Sequence, residues 1–121
     1  MRKHKPLRVL QAARQYSDLI IELSARLPAR CPAGLRAQLV DAARSVSASI
    51  SEGFGRGSDT EKIHYTVMAN GSLEETQDYL RKYVNARLID RKTFYRLWNL
   101  SVVISRMIAS MLEELRKRKE E

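Results

Sequence analysis

Apolar residues recur along this chain at spacings of three, four and seven, the repeat that gathers side chains on one face of an α-helix. After Pro6 the positions are Leu10, Ala13, Ile20, Leu23 and Leu27, which predicts a helix over about 7–27. Pro28 and Pro32 bracket a short turn, because proline cannot extend a helix but suits its first turn. Leu35, Leu39, Ala42, Val46 and Ile50 carry a second helix over about 33–53. That pattern runs straight through Ser45, Ser47, Ser49 and Ser51, so a stretch with loop composition reads as helix. Gly53, Gly55 and Gly57 are expected to end it, since glycine readily takes the left-handed cap conformation. Ser58-Asp59-Thr60-Glu61 is a capping-box signature and opens a third helix over about 59–87. Its first seam is Thr66, Ala69, Leu73, Thr76, Leu80 and Val84; a second is Met68, Ser72, Glu75 and Tyr79. Asp90 is placed to cap a fourth helix over about 91–117, leaving residues 1–6 and 118–121 as expected mobile tails. Loops of a few residues make sequential helices antiparallel neighbours. The expected architecture is all-α: one domain, residues 1–121, folded as an up-down-up-down four-helix bundle.

The fourth helix is more apolar than an isolated bundle requires. From Leu97 to Leu112 its only charged residue is Arg106. Leu97, Leu100, Ile104, Met107, Met111 and Leu115 form a stripe that the bundle core would absorb. Tyr95, Trp98, Val102 and Ala109 form another, a quarter-turn or more away. A helix apolar around most of its circumference is buried around most of it, and an exposed apolar patch marks an interface. Self-association is therefore expected, through Trp98, Val102 and Ala109 together with Met68 and Tyr79 of the third helix.

Composition adds limits. A chain of 121 residues with 44% apolar content makes one domain with its own core. The lone Cys31 excludes an intramolecular disulfide and a multi-cysteine zinc site, which suits a reducing compartment. No basic-then-apolar leader and no apolar run of about 18 residues is present, so a cytoplasmic protein without membrane contact is expected. The formal charge is +8, a balance that points to a polyanionic partner rather than to any fold.

The candidate chemistry is sparse. Ser45, Ala48, Ser49, Gly71 and Ser72 would let two helix backbones approach closely, which offsets the roughly 1 kcal/mol cost of a glycine inside a helix. The rival, a phosphate-cradling loop at Gly53-Phe54-Gly55-Arg56-Gly57, lacks the strand–loop–helix setting and the Gly-Lys-Ser/Thr ending of such loops. Glu61-Lys62-Ile63-His64 matches one Glu-x-x-His element of a di-iron bundle, but such sites need two, and Glu61 already serves a cap. Glu52, Glu74, Glu75 and Asp78 are candidate Mg²⁺ ligands, more simply read as solvated or arginine-paired carboxylates. His64 is the one credible base, and no nucleophile–base–acid arrangement can be assigned around it. The chain reads as a non-enzyme without cofactor or metal.

The basic residues are grouped. The proposed topology gathers Arg26, Arg30, Arg36, Arg81, Lys82, Arg87, Arg91, Lys92 and Arg96 at one bundle end, with Asp90 as the nearest acid. Arg2, Lys3, Lys5, Arg8, Arg56 and Lys62 lie at the other, where Arg116 to Lys119 are diluted by glutamates. Such clusters neutralise phosphates without reading bases, and Tyr83 and Tyr95 beside the first cluster are candidates to stack on unpaired bases. Helix-dipole stabilisation alone accounts for Arg26, Arg81, Lys82 and Arg87. Oligomerisation would make a modest patch multivalent. The expected function is nucleic-acid binding, RNA first; the alternative is a protein–protein adaptor whose basic faces bind an acidic partner.

Two motifs carry a family resemblance. Ala42-Ala43-Arg44-Ser45-Val46-Ser47-Ala48-Ser49-Ile50-Ser51-Glu52-Gly53-Phe54-Gly55-Arg56 with Ser58 and Glu61, then Ala69-Asn70-Gly71-Ser72-Leu73-Glu74-Glu75, resemble the rRNA-intervening-sequence proteins over about residues 7–115. The diversity-generating-retroelement accessory protein, Avd, belongs to the same superfamily. The resemblance implies a non-enzymatic four-helix bundle assembling as a ring-like homopentamer with a basic surface suited to nucleic acid. In the Avd branch it also implies a reverse transcriptase as partner. It marks Ser45, Ile50, Glu52, Gly53, Arg56, Gly71, Ser72, Leu73 and Glu75 as family-motif and packing positions. Val40 and Asp41 stand where a basic pair is frequent, Ser47 replaces the usual proline and Ser49 the usual asparagine, so no specific RNA contact carries over.

Overall fold

The computed structural model describes residues 4–120. Its elements are α1 (His4–Ala25), α2 (Ala33–Phe54), α3 (Asp59–Asn85) and α4 (Arg91–Glu120), with no strand among the described residues. Each helix packs on two others in the cyclic order α1, α2, α3, α4. Cross-helix pairs give the register. Leu35, Gln38, Ser45 and Gly53 along α2 meet Tyr83, Tyr79, Ser72 and Tyr65 in turn, so α3 runs opposite to α2. Arg81 with Trp98, Gln77 with Ser101 and Asp59 with Arg118 do the same for α3 and α4.

Most of the periodic positions become the core: Ala13 and Ile20 of α1, Leu39, Val46 and Ile50 of α2, Ala69, Leu73 and Leu80 of α3, and Ile104 and Met111 of α4 are buried, joined by Tyr16 and Ile108 from outside those sets, while Leu23, Leu35 and Val84 are only half-buried. Burying such a side chain stabilises the fold by about 1.5–3 kcal/mol. A polar layer crosses the middle. Thr76 donates its hydroxyl proton to the Leu73 carbonyl at 2.6 Å, so in the 2.7 Å contact between Tyr16 and Thr76 the phenol is the donor. Ser101 likewise donates to the Trp98 carbonyl at 2.7 Å and accepts from Gln77 at 2.8 Å. Burial pushes the Tyr16 phenol up to about 12, because the phenolate would lose its water.

The helix starts are capped by the residues that the sequence marks. Ser58 accepts from the Glu61 amide at 3.2 Å and Asp90 from the Thr93 amide at 2.7 Å. The latter bond holds the Asp90 carboxyl below its usual range. The helices also reach into both expected tails, since α1 opens at His4 and α4 continues to Glu120. The last turns of α4 have a reason to persist, because Arg118 forms a two-point ion pair with Asp59 at the start of α3. Residues 1–3 and 121 lie outside the described residues.

The glycines behave otherwise than expected. None adopts a positive φ, and the cap of α2 is Gly55 in ordinary right-handed geometry (φ −76°). Gly53 lies inside α2 and is buried; a Cβ built there would stand 3.1 Å from the Cβ of Tyr65. The helix approach that needs a glycine is therefore at Gly53, where only four residues join α2 to α3 and the two backbones converge. Gly71 is exposed, and a Cβ there would meet nothing within 4 Å. It lies on the outward face of α3, away from the Leu73 seam. The small pair that does meet across the crossing is Ser45 and Ser72, joined hydroxyl to hydroxyl at 2.9 Å.

On α4 the buried seam is Leu97, Ser101, Ile104, Ile108, Met111 and Leu115. Leu100 and Met107, expected in that stripe, are only half-buried, because the helix is rotated slightly towards Ser101 and Ile108 to meet α3. The outer stripe is only partly covered: Tyr95 and Ala109 are exposed, Trp98 and Val102 half-buried.

Candidate functional site

Antiparallel packing brings the C-terminal ends of α1 and α3 beside the N-terminal ends of α2 and α4, and the predicted cations gather there. The structure divides them. Arg36 donates to the carbonyls of Ser24, Leu27 and Pro28 at 3.1, 3.4 and 3.0 Å, satisfying the end of α1. Arg30 does the same for the end of α3, donating to Ala86 at 3.3 Å and Arg87 at 2.7 Å. Both were expected to contact phosphate; both are instead occupied by carbonyl oxygens that a helix end leaves without partners. Arg26 pairs with Glu22 at 3.0 Å and Arg81 with Asp78 at 3.0 Å, so acids nearer than Asp90 serve them. The Arg81 guanidinium also lies 4.6 Å from the centre of the Trp98 ring, and the Lys82 ammonium 5.4 Å from that of Tyr79.

Four cations remain. Arg87, Arg91, Lys92 and Arg96 are exposed, and none makes an ion pair or side-chain hydrogen bond with another described residue. Arg87 and Arg91 join Arg81, Asp90, Phe94 and Tyr95 in lining an open cleft of about 1010 Å³ between the end of α3 and the start of α4. Arg96 and Arg26 line a smaller cleft, about 290 Å³, between α1 and α4. Leu88, Ile89 and Asp90 are shared by the two.

Arg87 has a further peculiarity that the sequence did not signal. Its φ is +58°, the one positive value at a non-glycine residue among those described. The geometry follows from how α3 ends. The Leu88 amide reaches back to the Tyr83 carbonyl at 2.9 Å and the Arg87 amide to Val84 at 3.1 Å, a closure that requires a left-handed residue between them. Glycine is the residue suited to that position. Arginine holds it here, with its own carbonyl clamped by Arg30 and its side chain at the cleft.

The two tyrosines expected to stack on bases separate completely. Tyr83 is buried, donates to the Leu35 carbonyl at 2.7 Å and has its phenol pushed up to about 12 by that burial, so it belongs to the core. Tyr95 is 57% exposed. Its ring stands edge-on to Phe94 at 5.2 Å, and Phe94 stacks on Trp98 at 5.5 Å. Arg81 then covers Trp98, leaving Tyr95 as the open end of an aromatic row.

At the opposite end of the bundle two arginines are drawn into the fold, while Arg8, Arg116 and Lys119 stay exposed. Arg56 is bound to Glu52, to Glu61 and to the Tyr65 hydroxyl at 2.9 Å, and Arg118 to Asp59. Glu52, Gly53 and Arg56 of the sequence motif thus form a clasp around Tyr65 where α2 meets α3. Ile50 and Leu73 are core, whereas Gly71 and Glu75 are exposed. Arg2 and Lys3, and the side chain of Lys5, lie outside the described residues. Glu61 is engaged by Ser58 and Arg56, and His64 is exposed. Among the described residues no three His, Cys, Asp or Glu side chains are grouped to hold a metal ion, and no helix is long and apolar enough to cross a membrane.

The expected interface residues are spread over two helices. Trp98, Val102 and Ala109 belong to α4, with Trp98 half-buried under Arg81 and Ala109 exposed. Tyr79 lies on the α2 side of α3, where its hydroxyl donates to Gln38 at 3.1 Å. Met68, 45% exposed, stands on the outer surface between the two groups.

The same fold occurs in a crystal structure of a protein of unknown function from the S23 ribosomal protein family of Bacteroides thetaiotaomicron. That protein is 20% identical, superposes with a TM-score of 0.85, and the match covers 90% of this chain and 98% of that one. No curated protein matches the chain in sequence. The family described as 23S rRNA-intervening sequence protein matches residues 5–110, nearly the whole bundle; the chain belongs to that family.

Proposed function

We propose that this protein is a non-enzymatic, homo-oligomeric RNA-binding accessory protein, and that the end of the bundle around the α3–α4 turn is its RNA-contacting surface. The observation that carries the reading is the pair Arg87 and Arg91 at the cleft. Both are exposed and without an acidic partner among the described residues, while Arg30, Arg36, Arg56 and Arg118 are each taken up by the fold. Arg96 extends the same exposed charge around α4, and Lys92, though it interacts with Asp90 through its charge, adds to it. Clustered cations of this kind displace the counterions of a polyphosphate backbone and give affinity with little base selectivity. The partly covered stripe of α4 supports self-association, which would place several such ends on one particle and raise avidity.

The test is a titration of labelled RNA at low and raised salt. Wild type is expected to bind, with affinity falling steeply as salt rises. Arg87→Glu/Arg91→Glu is expected to lose at least about tenfold and to flatten the salt dependence by roughly two phosphate contacts. Binding of an acidic polypeptide in preference to RNA would replace this reading with that of a protein adaptor.

A further inference from the structure

The cleft is more than a patch of charge, because an uncovered aromatic ring stands inside it. Tyr95 lines the same cavity as Arg87 and Arg91, and its ring is held edge-on by Phe94. The row Phe94–Trp98 is closed at its far end by the Arg81 guanidinium, itself anchored on Asp78. Stacking capacity at this end of the bundle is therefore concentrated on one ring. Asp90, also at the cleft, is engaged by the Thr93 amide as the cap of α4. Arg91 and Tyr95 stand one turn apart on α4, so a phosphate on the arginines and a base on the ring are within reach of the same strand.

We infer that this cleft selects single-stranded over duplex nucleic acid, by stacking one unpaired base on Tyr95 while Arg87 and Arg91 hold the flanking phosphates. The inference rests on the RNA-binding reading and adds the form of the ligand. A duplex offers its phosphates to the two arginines but keeps its bases stacked on one another, so the ring gains nothing from it. A single strand engages both the arginines and the ring, and base–aromatic stacking tolerates any sequence because every base has a π-face.

Short labelled single-stranded RNA and a duplex of the same length, titrated into wild type, Tyr95→Ala and Tyr95→Trp, test it. Wild type is expected to prefer the single strand by about tenfold. Tyr95→Ala is expected to abolish that preference while leaving duplex affinity unchanged, and Tyr95→Trp to restore it. Because the side chain is on the surface, all three should show the same helical circular dichroism. Equal affinity of wild type for both forms, or a silent Tyr95→Ala, overturns this inference and leaves the RNA-binding reading standing. Failure of wild type to bind either form overturns both.

Discussion

A charged residue announces its charge in the sequence but not its partner, and the arginines of this bundle show how much depends on the difference. Arg30 and Arg36 stand in the same cluster as Arg87 and Arg91, yet they end on the carbonyls of α3 and α1. Nothing in their spacing distinguishes them, because a guanidinium at the end of a long side chain finds acceptors set by tertiary packing. Tyr83 and Tyr95 divide in the same way. Tyr83 takes the last place of the buried α3 seam, where the sequence pattern put Val84, and its hydroxyl donates to the Leu35 carbonyl. Glycines were legible as to position but not as to cause. A pair of substitutions separates the two causes. Gly71→Ala is expected to raise the stability of the protomer by about 0.5–1 kcal/mol, since the added methyl meets nothing and the helix gains propensity. Gly53→Ala gains the same propensity, but its methyl lands against Tyr65. A net loss of about 1–3 kcal/mol is expected as α2 and α3 are pushed apart. Thermal unfolding of the two variants beside wild type measures both signs.

At the level of elements, periodicity was a sound guide wherever burial has one cause. Leu39, Val46 and Ile50 stand seven and four residues apart through a serine-rich stretch, and that stretch is helix. The capping signals at Ser58 and Asp90 were legible for the same reason, since a cap is a local bond. Where burial has two causes the pattern blurs. Around α4 the apolar residues are nearly continuous, so the buried seam was displaced towards Leu100 and Met107, whereas Ser101 and Ile108 occupy it. The serine was hidden because its hydroxyl is satisfied by the Trp98 carbonyl and Gln77, which makes a polar side chain compatible with the core. The outer stripe of α4 gives the element its own test. A protomer exposing Val103 and Ala109 beside half-buried Trp98 and Val102 is expected to run as an oligomer in light scattering at micromolar concentration. Val102→Glu is expected to reduce it to monomer while keeping helical content. A wild-type monomer at that concentration would remove oligomerisation from the account.

Across the whole molecule the two ends of the bundle differ in how they hold charge. At one, Glu52, Arg56, Glu61 and Tyr65 interlock and Arg118 ties α4 to α3, so two of its arginines are held by the fold while Arg8, Arg116 and Lys119 stay exposed. At the other, Arg87, Arg91, Lys92 and Arg96 face solvent around a cleft. The left-handed turn at Arg87 ties this asymmetry to stability. A residue with a side chain at positive φ costs the fold about 1 kcal/mol relative to glycine, a cost that native proteins tolerate mainly at functional positions. Arg87→Gly therefore separates fold from function in one variant, and its melting temperature and RNA affinity, measured on the same preparation, test the account most directly. The expected result is a higher melting temperature with RNA binding weakened several-fold. A lower melting temperature with unchanged RNA affinity would show that Arg87 serves the fold, and would contradict the assignment of this end of the bundle to nucleic acid.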